Sequence, residues 1–573
     1  MVTRALKSIK TLLVKEQNEI LSAAAILMIL GFFGKVSGML LQTLTARQFG
    51  AGKETDIFYL ASVIPETITN IILIGAISGS IIPIFVKVKE QQGDKLFTRS
   101  FSTTFNISVG VFILLSILTG IFAGRLVPLA VSMTDSGTSK ISAAEMQQVV
   151  LMMRVLLIPQ IFLAISAFVS TSLNIYHRFI IPQLAPIFFN LGRTIGIMIL
   201  VPLMHGSIWG LVWGTFLGSF LHLVIQLPLM KHLGISLKYG FIDWKDRHFK
   251  DVFKLGLPRI ISLSAEQFAV VVDSVIAFGL TTGSLTAYQF AIRLISFPLT
   301  VFGTSFALAS FPSLSKLYAK GAKVEFEKLI SKLINQVLFL SLPVAVILLV
   351  LRIPIVRLVY GIFGGSFNWE DTKQVAWVLL FFTLGISFEG LRGTLFRIYY
   401  SIHDSRIPLI SSIFVMIGGA VTGIMFTNYF SHFPNFSIRE ITFHFGYFFS
   451  KGTGAAGVGG LALSSSLIFT MEFIFLVGML KYRGAVTELK PIVIKILKKL
   501  LVVLLMLIVS YAMSKMWEEV LDTAKTLQLI LLTVTTSFAA FMLYLWVSFI
   551  LGIEEVETFI TFIGRNLKRF KKK

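Results

Sequence analysis

Several charged side chains stand inside long apolar runs of this sequence, each run being about the length that crosses a bilayer. They are Lys35, Arg154, Arg193, Asp273, Arg293, Arg392 and Arg397. A charge at the centre of a membrane costs about 2.5–3.5 kcal/mol on insertion scales, so each one is a candidate functional residue. Lys35 and Arg293 lie far from the polar ends of their runs. Two cations facing one cavity would suit a ligand that carries phosphates.

The other charges in apolar runs have simpler interpretations beside a functional one. Asp273 stands in AVVVDSVIAF with no cation beside it in sequence. An intramembrane carboxylate of this kind carries a proton or binds sodium, or else it is buried and protonated or paired. Arg392 and Glu389 lie three residues apart on one helical face, which predicts a structural ion pair. Arg154 lies near the end of its run, and we expect it to reach the lipid headgroups.

The stretch FGAGKET, residues 49–55, looks like the end of a nucleotide-binding loop but fails as one. The first glycine of a Walker motif would fall at Arg47, and Glu54 stands where a serine or threonine should follow the lysine. The sequence has no HExxH or GxSxG motif, and the absence of cysteine excludes thiolate metal sites and cysteine nucleophiles. We therefore expect neither an enzyme nor a bound cofactor.

Membrane helices must position these residues, because the composition is that of a membrane protein. Hydrophobic residues make up 55% of the chain and charged residues 14%, whereas a soluble domain has about a quarter charged residues. The apolar runs predict an all-α polytopic membrane protein with about 14 spans. The predicted spans are 22–45, 57–86, 101–131, 147–172, 183–203, 207–230, 253–280, 286–315, 330–358, 375–401, 407–429, 454–480, 493–514 and 527–552.

The charges between the spans predict the orientation of the chain. With both termini inside, the inner segments hold about 33 Lys and Arg against about 8 in the outer segments, which is the bias of a protein with cytoplasmic termini. This bias also accounts for much of the net charge of +22, so nucleic acid is not expected as a partner. We expect the basic segments to lie against anionic membrane lipids.

A weak internal repeat predicts two related bundles. FGAGKETDIFYLASVIPETITNIILIGAISGSIIPIF follows the first span, and FGLTTGSLTAYQFAIRLISFPLTVFGTSFALASFPSL follows the seventh, with Pro83 opposite Pro312. The copies begin an even number of spans apart and so share one orientation, which predicts two pseudo-symmetric six-helix bundles that face a central cavity. Chance similarity between glycine-rich helix ends is the alternative.

The predicted organisation has six parts. They are a basic N-terminal extension at 1–21, a first bundle at 22–230, a basic cytoplasmic loop at 231–252, a second bundle at 253–480, two C-terminal helices at 481–552 and a basic cytoplasmic tail at 553–573. The outer loop at about 430–453 is rich in aromatic residues, which favours an interfacial or folded-back segment over a disordered loop.

The sequence resembles the MurJ (MviN) lipid II flippases, in the superfamily of MATE exporters and polysaccharide flippases. The motifs that carry the resemblance are GKVSGMLLQTLTARQFGAGKETDIFYLASVIPETITNIILIGAISGSIIPIF, SLNIYHRFIIPQLAPIFFN, LGLPRIISLSAEQF, AIRLISFPLTVFGTSFALASFPSLSKL, YYSIHDSRIPL and GVGGLALSSSL. The resemblance implies passage of a lipid-linked pyrophosphate sugar precursor across the bacterial cytoplasmic membrane by alternating access. Basic residues in the first, second and eighth spans line the cavity of this family, which implies that Lys35 and Arg293 bind substrate.

The resemblance also carries departures that bear on the substrate. Leu41 and Thr69 stand where arginines are expected, and Arg193 and Arg397 are the candidates to replace them. The loss of two cavity cations predicts weaker pyrophosphate binding or a different binding mode unless another group substitutes.

Two further roles are expected from the residues together with the resemblance. Asp273 matches an acidic residue that binds sodium in some members, so Na⁺ or H⁺ coupling is a hypothesis, although its expected partners in span 11 fall at about Gly419 and Gly423, which lack ligand atoms. The glycines of FGAGKET predict a tight turn at the outer face. Arg47 and Asp56 lie at that mouth, where Asp56 is expected to act in gating by pairing across the closed outer side.

Lipid II flipping is the leading hypothesis, and three alternatives stay open. One is a flippase for another polyprenyl-pyrophosphate-linked glycan. A MATE-type cation-coupled drug exporter would favour acidic cavity residues, so the cationic candidates argue against it. A membrane scaffold that recruits cell-wall synthesis proteins through its basic tails is the third.

Overall fold

The computed structural model of the protein describes residues 20–76, 81–134 and 142–557. All regular structure within those ranges is helical, which confirms the all-helical prediction. The helices are α1 Ile20–Phe49, α2 Lys53–Ala76, α3 Ile82–Gln92, α4 Asp94–Thr134, α5 Ala143–Ile175, α6 Ile180–Ile195, α7 Val201–Leu203, α8 Trp209–Val224, α9 Leu227–His232, α10 Arg247–Phe278, α11 Ser284–Pro298, α12 Ser305–Ala319, α13 Lys323–Val350, α14 Arg352–Tyr360, α15 Trp369–Ser401, α16 Arg406–Phe430, α17 Val458–Tyr482, α18 Lys490–Val520 and α19 Thr526–Ile550.

Eleven helical segments of the described residues are long and apolar enough to cross a membrane. This finding confirms a multi-pass membrane protein. The predicted spans at 57–86, 286–315 and 493–514 correspond to α2–α3, α11–α12 and α18, which are not among the eleven. The count of 14 therefore stays a prediction. Most of the predicted N-terminal extension and the tail from residue 558 onward lie outside the described residues.

The chain forms two compact units. The first comprises Met1–Thr286 and Phe363–Phe367, and the second comprises Ala287–Ile362 and Asn368–Lys573. In the first unit, α2 packs against α5 and α10, while α6 packs against α1 and α8. In the second unit, α15 packs against α13 and α17, and α17 also packs against α16. The predicted division into two bundles and a C-terminal pair stays a prediction.

Glycines allow α6 and α8 to approach closely in the first unit. Gly210, Gly214 and Gly218 recur every fourth residue of α8, a spacing that puts them on one helical face. A Cβ atom added at Gly218 would lie 2.4 Å from the carbonyl oxygen of Phe189 on α6. A Cβ added at Gly192 of α6 would lie 2.3 Å from the Cα of Gly218. Larger residues at these positions would force the two helices apart.

Within the described residues, two complete π-helical segments interrupt the helices. One, Gly196–Leu200, joins α6 to α7 in the first unit. The other, Leu299–Thr304, joins α11 to α12 in the second unit and directly follows Pro298. Because proline lacks a backbone N–H and clashes with the preceding turn, a break in the α-helical ladder is expected at this point.

Candidate functional site

The motif FGAGKET forms a tight turn between α1 and α2. Gly50 has a φ of +65°, a left-handed conformation that favours glycine. The hydroxyl of Thr55 accepts a hydrogen bond from the Gly52 amide at 3.1 Å and donates to the Gly52 carbonyl at 2.9 Å. The glycines thus serve the turn itself, as the sequence predicts.

Asp56 is buried at the start of α2 and binds the N-terminus of another helix. Its carboxylate accepts hydrogen bonds from the Gly283 amide at 2.6 Å, the Thr286 amide at 2.8 Å and the Thr286 hydroxyl at 2.6 Å. These groups surround the start of α11, where amide hydrogens lack partners within their own helix and the helix dipole is positive. Asp56 is therefore a side-chain cap supplied from a distant part of the first unit.

Arg47 holds a neighbouring loop through its backbone. The amide of Ser366 donates to the Arg47 carbonyl at 2.8 Å, and the Ser366 hydroxyl donates to the Gln48 carbonyl at 3.0 Å. Gly365 has a φ of +96°, and a Cβ there would lie 2.3 Å from the Arg47 carbonyl oxygen. The Arg47 side chain itself is exposed. At the same end of α2, Lys53 pairs with Glu145 at 2.5 Å.

Lys35 is exposed on α1, beside the contact between α1 and α6. The side-chain amide of Asn190 on α6 donates to the Ser37 hydroxyl at 2.9 Å and to the Gly34 carbonyl at 3.3 Å. These bonds fix the rotation of α1, since Gly34 and Ser37 must face α6 to make them. The rotation leaves Lys35 next to the helix contact with an exposed side chain.

Arg193 is buried on α6, in a different environment from Lys35. Its guanidinium lies 5.9 Å from the ring centroid of Phe58 on α2 and 5.6 Å from that of Phe189 on α6. Aromatic faces attract cations, and the attraction grows when water is excluded. Of the substrate-binding candidates in the first unit, Lys35 is thus accessible and Arg193 is packed between aromatic rings.

Leu41 and Thr69, which stand where the resemblance leads one to expect arginines, are both buried. The Thr69 hydroxyl donates to the Gln160 side-chain oxygen on α5 at 2.8 Å and to the Pro65 carbonyl at 2.9 Å. Both positions are therefore filled by packed side chains. A guanidinium at position 69 would have to displace the bond between α2 and α5.

Asp273 is half-buried on α10, which packs against α2. These helices are also joined by the Asn70 amide, which donates to the Gln267 side-chain oxygen at 3.1 Å. Among the described residues there is no cluster of three or more His, Cys, Asp or Glu side chains that could hold a metal ion. The ion-coupling role of Asp273 stays a prediction.

The two candidate cations of the second unit differ in exposure. Arg293 is exposed on α11, five residues before Pro298 and the π-helical segment. Its backbone carbonyl accepts a hydrogen bond from Ser296 at 2.8 Å. Arg397 is half-buried on α15. Their assignment to substrate binding stays a prediction, as it does for Lys35 and Arg193.

Arg392, for which the sequence predicts a pair with Glu389, forms an ion pair with a carboxylate on another helix. Its Nε lies 3.0 Å from the carboxylate of Glu472 on α17. The Ser411 hydroxyl on α16 donates to the same carboxylate, and a guanidinium nitrogen of Arg392 lies 3.4 Å from the Ser412 hydroxyl. Arg392 thus joins three helices. Helical spacing finds only partners on the same helix, which is why the pairing of Arg392 with Glu472 was not predicted.

The chain matches known proteins in sequence and in fold. A family model described as "Lipid II flippase MurJ" matches residues 45–434. A relative from Buchnera aphidicola, named as a probable lipid II flippase MurJ, is 24% identical over 526 residues, which cover 92% of this chain and 96% of the relative.

Two solved structures show the same fold. The lipid II flippase MurJ in an inward closed conformation has a TM-score of 0.70 at 22% identity, covering 93% of this chain and all of that chain. An inward-facing multidrug resistance transporter of the MATE family has a TM-score of 0.60 at 12% identity, covering 80% of this chain and 98% of that chain. Since the family model spans more than half of the sequence, the protein belongs to the lipid II flippase MurJ family.

Proposed function

We propose that this protein moves lipid II, or a closely related lipid-linked glycan, across the bacterial cytoplasmic membrane by alternating access. The observation that carries the proposal is the exposure of Lys35 and Arg293 on helices predicted to lie within the membrane. A cation in an apolar run is costly, and an exposed one can be reached by a ligand. The pyrophosphate of the substrate offers two phosphates for such cations. Membership of the family supports the same substrate class.

In the proposed mechanism, the sugar headgroup enters a polar cavity while the lipid tail stays in the bilayer. Lys35 and Arg293 neutralise the pyrophosphate, which lowers the desolvation cost of moving a charged headgroup. Release on the opposite side needs no bond to be made or broken in the substrate, so the proposed activity is transport without catalysis. Both termini are proposed to be cytoplasmic, with the basic segments against anionic lipids.

Lipid II flipping in cells depleted of their own flippase tests this proposal. Wild type should restore flipping, while Lys35→Ala and Arg293→Ala should each reduce the rate by about 10-fold or more, since a hydrogen bond to a charged group contributes about 1.5–3 kcal/mol. Lys373→Ala is the matched control, because Lys373 forms an exposed pair with Glu370 at 2.7 Å near the start of α15. Equal rescue by all variants, at equal protein levels, would exclude the two cations as the substrate site.

Gating is proposed to use the cap that Asp56 places on α11. Asp56→Ala should lower the flipping rate and change the ratio of inward-open to outward-open molecules. That ratio can be measured from the labelling rate of a cysteine placed at exposed Val36, which leaves Lys35 in place. Glu54→Ala is the control, because Glu54 lies two residues before Asp56 and is exposed. A lower unfolding temperature with an unchanged ratio would show that Asp56 is a structural cap without a role in gating.

Ion coupling is proposed to use Asp273, with Na⁺ or H⁺ and without ATP. Transport should depend on sodium concentration or on pH, and Asp273→Asn should remove that dependence. A transport rate unaffected by sodium, pH and the substitution would remove the coupling role while leaving the flippase proposal intact.

Leu41 and Thr69 are buried, uncharged residues, so fewer cations are present to bind a pyrophosphate than the resemblance leads one to expect. This difference favours a second substrate. A related flippase for another polyprenyl-pyrophosphate-linked glycan would accommodate this loss. Wild type that fails to restore lipid II flipping, yet moves another lipid-linked glycan in the same vesicles, would select this substrate. A MATE-type exporter would instead move amphipathic cations, and a scaffold for cell-wall proteins would move neither.

A further inference from the structure

The segment between α16 and α17, residues 431–457, is a folded loop closed at its base. The Gly454 amide donates to the Ser431 carbonyl at 2.5 Å, and the Ala456 amide donates to the Phe433 carbonyl at 3.3 Å. A Cβ at Gly454 would lie 2.1 Å from the Phe433 carbonyl oxygen, so only glycine permits this approach of the two ends. The loop also continues beyond residue 434, where the match to the family model ends.

One set of aromatic rings fixes the loop to the end of α16. Tyr447 stacks on His432 with ring centroids 4.0 Å apart, and Phe448 stacks on Tyr429 with centroids 4.6 Å apart. The Tyr429 hydroxyl donates to the Thr442 carbonyl at 3.1 Å. The loop therefore has an ordered interior, and its fold determines which side chains remain outside.

A second set of aromatic side chains is left outside this interior. Phe443, Phe445 and Phe449 are 76%, 69% and 66% exposed. The ring centroids of Phe445 and Phe449 lie 5.5 Å apart, so the two rings form a continuous apolar surface. Folding in water would bury such rings, since exposed apolar area is unfavourable. Contact with an apolar medium outside the loop would remove the cost of leaving these three phenylalanines exposed.

The position of the loop identifies that medium. Both of its ends continue directly into helices that are long and apolar enough to cross a membrane, α16 and α17. The exposed face of α16 is apolar up to the last turns before the loop, at Ile417, Val421 and Ile424. A loop tethered by such a helix on each side, with little chain between them, stays close to the membrane surface. Aromatic side chains are enriched at this level of membrane proteins.

We infer that Phe443, Phe445 and Phe449 insert into the headgroup region of the bilayer and anchor the outer ends of α16 and α17. The occupant of this apolar surface is lipid. Exposed Lys451 lies next to the surface, where its charge favours anionic headgroups. The inference concerns a surface outside the candidate substrate site and does not depend on which glycan is moved.

Spin labels on single cysteines test the inference, because the natural chain has no cysteine to remove. The substitutions are Phe443→Cys, Phe445→Cys and Phe449→Cys, each in purified protein reconstituted into vesicles of phosphatidylethanolamine and phosphatidylglycerol. Thr442→Cys is the matched control, since Thr442 neighbours Phe443 in an extended part of the same loop. Phe538→Cys, exposed on the apolar helix α19, provides the value for a lipid-facing site.

The measurement is the accessibility of each label to oxygen, which concentrates in lipid, and to a water-soluble nickel chelate present on both sides of the vesicles. The three phenylalanine positions should show an oxygen-to-nickel ratio several-fold above that of Thr442 and approaching that of Phe538. Ratios equal to that of Thr442 would overturn the inference and indicate a surface that faces water or a protein partner. Because the replaced rings are exposed, all three variants should fold, and each supplies an independent reading.

Discussion

Different polar groups join the helices at four places in the two units. In the first unit, neutral side chains pair in Thr69–Gln160 and Asn70–Gln267. In the second unit, buried ion pairs form in Arg392–Glu472 and Lys499–Glu555. A neutral pair contributes little to the free energy of unfolding, and its loss costs little. When one partner of a buried ion pair is removed, the other partner stays charged inside the protein.

This difference separates structural charges from functional candidates. Glu472 and Lys499 are each only 1% exposed, and their ion pairs explain why charges persist there. Lys35 and Arg293 differ from these two residues because their side chains are exposed. A charge inside an apolar run is thus weak evidence for a ligand site until its burial and its contacts are known.

The largest effect is expected when the ion pair of α15 and α17 is broken. Glu472→Ala leaves the Arg392 guanidinium without this carboxylate and should lower the free energy of unfolding by about 3–5 kcal/mol. Thermal unfolding of the detergent-solubilised protein measures the loss. The double variant Arg392→Met, Glu472→Leu should recover most of it, because no unmatched charge remains. Glu370→Ala at the exposed start of α15 is the control, and a similar loss for both single variants would contradict the assignment of Glu472 as a stabilising partner of Arg392.

A smaller effect is expected at Lys499, which lies near one end of α18. Its Nζ contacts the Asn335 side-chain oxygen at 2.6 Å and Glu555 at 3.3 Å. Lys499→Met should destabilise the protein by about 1–3 kcal/mol, because Asn335 and Glu555 lose a charged donor. Exposed Lys498 is the matched control, and Lys498→Met should leave the unfolding temperature unchanged. Equal effects of the two substitutions would mean that the contacts of Lys499 with Asn335 and Glu555 do not stabilise the protein.

Breaking a neutral pair of the first unit should matter less. Gln160→Leu removes the acceptor for Thr69 and should cost about 0.5–1.5 kcal/mol, and averages for bonds between membrane helices lie near the lower value. Thr69→Val should give a similar loss, and the double variant should cost little more than either one. A loss as large as that expected for Glu472→Ala would remove the distinction between this neutral pair and the buried ion pairs.

The smallest effect is expected for the exposed pair Lys53–Glu145. Lys53→Ala should change the free energy of unfolding by less than about 0.5 kcal/mol, because exposed ion pairs are solvated and screened. The same thermal measurement at low and high salt checks this expectation. A salt-dependent loss above 1 kcal/mol would show that the N-terminal end of α2 depends on this pair.

The sequence was sufficient for features that depend on local pattern. Apolar runs predict the helices, and the glycines of FGAGKET predict the turn at Gly50. The every-fourth-residue glycines of α8 also carried a signal of close helix packing that sequence reasoning left unused. Each of these features is decided within a few residues, so a pattern in the chain is enough.

Contacts between distant residues were beyond the sequence. Asp56 was expected to form a pair, but its partners are the backbone amides of Gly283 and Thr286, which no residue type reveals. Glu472, which pairs with Arg392, is 80 residues away in the chain and beyond the reach of helical spacing. Burial of Thr69 likewise depends on Gln160 from another helix. In each case the fold selects one partner from many of the same chemical type.

The π-helical segment Leu299–Thr304 sets the phase between α11 and α12. A π turn holds one residue more than an α turn, and each residue of an α-helix advances the side chains by about 100°. Removal of one residue from this segment would therefore rotate α12 about its axis relative to α11. Leu314, fully buried in the core of the second unit, would leave its place while Arg293 kept its own. The extra residue thus sets which face of α12 packs into the core relative to the face of α11 that presents Arg293.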